Sequence, residues 1–127
     1  MTDTEQLVLV HRFTAALVTR DAAALRTLCS PDVTWTVPGT SALAGVHTGV
    51  EGVLAVERFL VGRGLQSQVR GVFHGRDSVV VLLRDSGTTG VRSLDVDVAL
   101  HVSVRDGEVA AVAGHLANLA AFDAYLS

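Results

Sequence analysis

The chain of 127 residues is long enough for one core and too short for two, since halving it would leave each part with too little apolar surface to bury. With 49% apolar and 18% charged residues, it lies far from the composition of disordered chains. Its net charge of -3, with ten basic residues scattered singly, excludes the electrostatic footprint of a nucleic-acid-binding surface.

In chain order, Glu5 to Thr19 predicts an amphipathic helix with Leu7, Val10, Thr14, Leu17 and Val18 on its inner face and Glu5, Arg12 and Thr19 opposite. Thr2 and Glu5 have capping-box spacing, and Asp21 caps a second short helix, Ala22 to Cys29, which buries Leu25 and Leu28 before Pro31 ends it. Val33, Trp35 and Val37 then alternate with Thr34 and Thr36, which predicts a half-buried strand closed by Pro38-Gly39. After a loop, Thr48 and Glu51 open a helix to about Leu60 that turns Val53, Val56 and Leu60 inward, with Gly62 and Gly64 as its stop.

From there the period changes to two. Strands are predicted at Gln68 to His74, Ser78 to Asp85, Ser93 to Arg105 and Glu108 to His115, joined by turns at His74-Gly75, Ser86 to Gly90 and Asp106-Gly107. Asp106-Gly107 is the most specific of these signals, because a two-residue type I′ turn requires positive φ at both positions. Asn118 caps a final helix, Leu119 to Leu126, with Leu119, Phe122 and Tyr125 apolar. Helices segregated from a mostly antiparallel sheet define an α+β fold, and a cone-shaped barrel of helices packed on a curved sheet is the simplest closed solution.

A mean hydropathy of +0.42 is high, yet no apolar run approaches the ~20 residues that span a bilayer, so no membrane association is expected and the surplus should line a cavity or a subunit interface. The opening MTDTEQLVLVHRF has no basic segment ahead of an apolar stretch and does not read as a secretory signal. Cys29 stands alone, so no internal disulfide forms, and a cytoplasmic location is the expectation.

Along Ser93 to Arg105 the apolar Leu94, Val96, Val98, Leu100, Val102 and Val104 alternate with Asp95, Asp97, Ala99, His101, Ser103 and Arg105. Burying the two aspartates unpaired would cost several kcal/mol each, so the apolar set belongs on the helix side, where it walls a pocket for an apolar small molecule. Ser78 to Asp85 is apolar on both faces, so the outer face of the sheet should also be covered, by a second subunit or by the terminal helix. A homodimer through that face is the expectation.

The histidines, at positions 11, 47, 74, 101 and 115, show no HxH, HxxxH or HExxH spacing, so no metal site is expected. Phosphate-cradling glycine loops are missing, Ser41 lacks the GxSxG pattern, and Cys29 among apolar neighbours reads as inert core; no cofactor is expected. Single polar groups remain. Trp35 faces inward by strand parity, as pocket wall or as ordinary core. His47, in AGVHTG ahead of a capped helix, and His115, closing the last strand, are candidate acids or bases, each also readable as a plain surface residue. His101 reads as surface or interface. Arg84 needs a carboxylate such as Asp85, Asp95 or Asp97, or an anionic ligand, and a surface ion pair is the simplest state.

The segments HRFTAALVTRDAAALRTLCSPDVTWTVPG (His11 to Gly39), LAGVHTGVEGVLAVERFL (Leu43 to Leu60), VRDGEVAAV (Val104 to Val112) and the ending NLAAFDAYL resemble, in that order, the nuclear transport factor 2-like superfamily and its SnoaL-like, ketosteroid-isomerase-like branch. The resemblance implies a conical α+β barrel with a deep apolar pocket, commonly dimeric. Its members include steroid isomerases, polyketide cyclases, epoxide hydrolases, dehydratases and non-catalytic binding domains. The isomerases' helix Tyr falls here on Phe13, their Asp base on Val37, and their second Asp near Val98 to Leu100, so the resemblance does not carry that mechanism over. The epoxide hydrolases' strand Arg matches Arg84, but their paired Asp falls on Ser86 and their last-strand Asp on Gly114. The SnoaL-like cyclases use an Asp at the end of the last strand, where this chain reads His115-Leu116-Ala117-Asn118 and His115 stands as the substitute base.

The expected function is therefore a cofactor-independent proton transfer of isomerase, cyclase or dehydratase type on an apolar carbonyl or polyketide-like compound. His47 or His115 would act as base, and Phe13, Trp35, Val37, Val98, Leu100, Val112, Gly114 and Leu116 would contact the substrate. The alternative is a non-catalytic ligand-binding or dimerisation module of the same fold. A polar pair within hydrogen-bond reach at the cavity floor would favour the first, and a sealed or wholly apolar cavity the second.

Overall fold

The computed structural model describes residues 1–127 as helices α1 (Asp3–Thr19) and α2 (Ala22–Leu28), strands β1 (Cys29–Val37) and β2 (Gly45–Thr48), and helix α3 (Gly49–Gly62). Strands β3 (Gln66–His74), β4 (Ser78–Thr89), β5 (Arg92–Arg105) and β6 (Glu108–Leu116) follow, and helix α4 (Leu119–Leu126) ends the chain. The strands form one curved, unclosed sheet in the order β2-β1-β6-β5-β4-β3, in which only β1 and β6 run parallel. This is the α+β cone, with its open edges at β2 and β3.

Three helix starts form where side-chain acceptors stand at cap spacing. Thr2 Oγ1 accepts from the Glu5 N–H at 3.1 Å, Asp21 from Ala24 at 3.0 Å, and Asn118 from Ala121 at 3.0 Å. Thr48 caps α3 without a side-chain bond, and Glu51 turns away to meet Arg26 at 3.0 Å. At the β5–β6 turn Asp106 and Gly107 have φ of +53° and +75°, the two positive values that a type I′ turn demands.

Elsewhere the structure departs from the pattern. The strand after α2 begins at Cys29 rather than Asp32 and runs through Pro31, whose missing N–H falls in the irregular stretch of the β1–β6 pairing between Cys29 and Thr34. Gly45–Thr48, expected as loop, is a short edge strand with Trp35 opposite His47; it is too short for alternation to show. The stretch Ser86 to Thr89 continues β4 instead of turning. Gly87 is there because a Cβ would collide with the Gly64 carbonyl, so the glycine marks a close backbone approach.

The buried face of α1 is also rotated: Gln6, Leu9, Val10, Phe13, Ala16 and Leu17 are buried, while Leu7 and Val18 are exposed. Gln6 accepts burial because both ends of its amide are satisfied. Its Nε2 donates to the Gly75 carbonyl at 2.9 Å, and its Oε1 lies 2.9 Å from His74 Nδ1. In α4, Leu126 is buried with Phe122 and Tyr125, and Leu119 is left exposed.

On β5, Leu94, Val96, Val98, Leu100 and Val102 all face the helices, and Val104 is half-buried beyond a register shift after Ser103. Asp95 and Asp97 lie on the other face, where Arg84 bridges them at 2.7 and 3.0 Å. Phe122, Tyr125 and Leu126 pack into the same core cluster as these inward valines and leucines, so the terminal helix lies on the inner side. The outer face, with Phe73, Val80, Leu82, Ala99 and Ala113, is left bare in the single chain. No helix is long and apolar enough to cross a membrane.

Candidate functional site

A hollow of about 140 Å³ lies between the sheet and the helices. Leu17 and Thr14 of α1, Val56 and Leu60 of α3 and Phe122 of α4 contribute to its helical walls, β1, β3, β4, β5 and β6 supply the sheet side, and Pro38 and Leu43 of the β1–β2 loop complete it. Helix α4 is held in place by hydrogen bonds along its length, among them one from Arg63 Nη1 to the Leu126 carbonyl at 3.3 Å. Asp123 accepts from the Thr40 backbone N–H at 3.1 Å, and the Tyr125 hydroxyl donates to the Arg63 carbonyl.

Of the residues expected to contact substrate, Trp35, Val37, Val98, Leu100, Gly114 and Leu116 stand in the wall. Phe13 and Val112 do not; they are buried in the core cluster beside it. Neither of the expected bases reaches the hollow. His47 sits half-buried on β2 with its Nε2 2.7 Å from the Leu43 carbonyl, outside the wall. His115 is exposed, because Gly114 and Leu116 take the inward positions of β6 and parity turns His115 outward, opposite Ala99. His101 is likewise exposed on the outer face, opposite Ala113.

The wall instead contains two carboxylates, Asp85 and Glu57. Asp85 ends the inward row Val79, Val81, Leu83 of β4, and strand parity puts it on their face. Glu57 stands four residues after Val53 and three before Leu60, so helical spacing places it at the edge of the inward stripe of α3. Both signals were present in the sequence. Apolar residues on both faces of β4 mask the first, and the position of Glu57 at the edge rather than the centre of the apolar stripe masks the second.

Asp85 is only 6% exposed, and its Oδ1 accepts a hydrogen bond from Ser67 Oγ at 2.5 Å. Burial pushes its carboxyl above the usual range, and the Ser67 bond pulls partly back. Burial also raises Glu57; the Arg20 guanidinium opposes that shift, and the negative charge of Asp85 adds to it. Trp35, 5% exposed, lines the hollow and makes no hydrogen bond within the chain; since no fully buried side-chain polar atom lacks a partner, its indole N–H keeps some accessible surface. Together these groups can hold a proton, release it, and donate to an acceptor within an apolar enclosure.

Other chemistry has less to stand on. Burial, with the charge of Glu108 second, pushes the Cys29 thiol up to about 11, which keeps it protonated and unreactive. No three His, Cys, Asp or Glu side chains are gathered so as to hold a metal ion.

Residues 10–112 match the family model of the SnoaL-like domain. Over 129 aligned residues the chain is 32% identical to the uncharacterized protein Rv0034 of Mycobacterium tuberculosis (strain ATCC 25618 / H37Rv), with 98% of each chain covered. Among solved structures, Bal32a from a soil-derived mobile gene cassette superposes with a TM-score of 0.88 at 25% identity, covering 98% of both chains. A putative SnoaL-like polyketide cyclase from Jannaschia sp. CCS1 gives 0.77 at 20% identity, covering 98% of this chain and 93% of that one. With its open curved sheet, its helices on one side and this match, the chain belongs to the SnoaL-like domain family, and its fold is that of NTF2-like proteins.

Proposed function

We propose that the hollow carries out a cofactor-independent proton transfer, of isomerase, cyclase or dehydratase type, on a small and largely apolar carbonyl compound. The observation behind this reading is the pair Asp85 and Glu57, both raised by burial, in a wall that also offers the free indole N–H of Trp35. The Ser67–Asp85 bond is a polar pair in the cavity wall, which favours chemistry over passive binding.

In this reading Asp85 is the base. Ser67 holds its Oδ1, and Oδ2 is free to take a proton from the carbon beside the substrate carbonyl. As that C–H bond breaks, its electrons form the enolate, and the Trp35 N–H donates to the growing charge on oxygen. Glu57, whose hold on a proton is strengthened by burial, delivers a proton to the product and takes another from solvent at its more open position, while Asp85 gives up to solvent the proton it took. Each acid or base of this kind commonly contributes ~10²–10⁴ in rate. Likeness to the Jannaschia cyclase supports the fold alone, so the reaction rests on the groups of the hollow itself.

We further propose that a second copy of the chain covers the bare outer face of the sheet, where Phe73 on the edge strand, Val80 and Leu82 on β4, Ala99 on β5 and Ala113 on β6 lie across neighbouring strands. The hollow lies on the other side of the sheet and stays open in such a dimer.

The test of the chemistry follows loss of the α-proton signal of small enolisable ketones in D2O by NMR. Wild type accelerates the exchange, and Asp85→Asn slows it by about 100-fold. Equal exchange in wild type and in the Asp85→Asn, Glu57→Gln double variant overturns the proposal.

A further inference from the structure

The wall of the hollow carries charge of one sign. Its only ionisable residues are Glu57 and Asp85, and no arginine or histidine lines it. Arg20, the cation that acts on Glu57, is exposed at the C-terminal end of α1 and stands outside the wall. A guest carboxylate would thus lose its water shell, gain no counter-charge, and lie beside two further carboxyl groups. A neutral acceptor finds the Trp35 N–H, and a protonated amine finds the carboxylates together with the aromatic rings of Trp35 and Phe122.

We infer that the hollow selects its guest by charge, admitting neutral and ammonium-bearing apolar compounds and excluding carboxylates through Glu57 and Asp85. The inference takes the hollow as the binding site, as in the proposed function, but does not depend on the reaction there. Its volume of about 140 Å³ sets the scale of the probes, because a cavity of roughly 150 Å³ holds one benzene ring.

Benzamide, benzylamine and benzoate share that ring and differ in charge, so their dissociation constants at pH 7, measured by ligand-observed NMR on the intact protein, read the selection directly. Benzamide and benzylamine are expected to bind at least tenfold more tightly than benzoate. A smaller gap, or no binding by any of the three, overturns the inference. Glu57→Gln and Asp85→Asn, each checked for folding by thermal unfolding, should narrow the gap between benzamide and benzoate; an unchanged gap in both variants overturns the assignment to these residues. If the ketones fail to exchange while this discrimination holds, the proposed reaction falls and the charge selection stands. If the ketones exchange while benzoate binds as well as benzamide, the reverse is true.

Discussion

Ser67 and Asp85 face each other across the β3–β4 ladder, and the serine hydroxyl donates to Asp85 Oδ1 at 2.5 Å. One oxygen of the most deeply buried carboxylate is thereby fixed, and the other makes no hydrogen bond within the chain. Ser67 is a positioning residue in this arrangement. Because its hydrogen bond favours the ionised carboxylate, Ser67→Ala should move the acidic limb of the pH–rate profile for ketone exchange, where Asp85 loses its proton, to higher pH. A profile that only falls in height, with its limbs unmoved, would show that Ser67 does not tune Asp85.

The same carboxylates set the dependence of stability on pH. Asp85 and Glu57 have folded-state values above their unfolded ones, so their contribution is fully present below about pH 4 and is lost as pH rises through the raised values. Asp32, lowered mainly by its Ser30 hydrogen bond, and Asp95, lowered mainly by Arg84, act oppositely: their contribution is present above the unfolded value and lost as pH falls through the folded one. Asp85→Asn removes the loss on the neutral side. It should stabilise the fold by about 1 kcal/mol at pH 7 and by nothing near pH 3, as read from urea unfolding at both values.

Trp35→Phe keeps a ring in the wall and removes the N–H. That N–H bonds to nothing in the chain, so the cost to stability is that of the lost ring atoms alone, about 1–2 kcal/mol, as read from urea unfolding. Binding of benzamide should weaken by roughly five- to tenfold, the value of one ordinary hydrogen bond. Equal affinity in titrations of the two proteins would show that the indole does not donate to the guest.

Leu82→Asp places a charge in the middle of the outer sheet face without touching the hollow. Sedimentation should give a dimer for the wild type and a monomer for the variant, and wild-type unfolding should depend on protein concentration. A wild type that sediments as a monomer at every concentration removes the proposed interface.

At Gly87 the backbone of β4 passes so near Gly64 that no side chain fits. Gly87→Ala should destabilise the fold by about 1–3 kcal/mol, as overpacking commonly does, and thermal unfolding measures it. An unchanged midpoint would mean that the Gly64–Leu65 segment yields freely.

The sequence shows the fold well where two independent signals coincide. Period-two alternation along Leu94 to Val102 and the Asp106-Gly107 turn locate β5 and its inner face, and three side-chain caps locate three helix starts. It misleads where one residue answers to tertiary contact. Leu7 looks as apolar as Leu9, and only the seat that Gly75 and His74 provide for Gln6 decides which face of α1 is buried. Gly87 in SGTTG has the composition of a turn and the role of a crossing point. For the site, parity correctly places Trp35, Val37, Val98 and Leu100 in the wall, and the same parity carried two residues past Leu83 leads to Asp85. His115 fails by that rule, since its neighbours on both sides are the inward ones.

Trp35 is the single tryptophan of the chain, and it stands in the wall of the hollow. The molecule's near-ultraviolet emission therefore comes mainly from the place where a guest would sit. Entry of a guest or loss of water there should shift its wavelength or quench it, so occupancy can be followed optically, without a label, before any turnover assay exists.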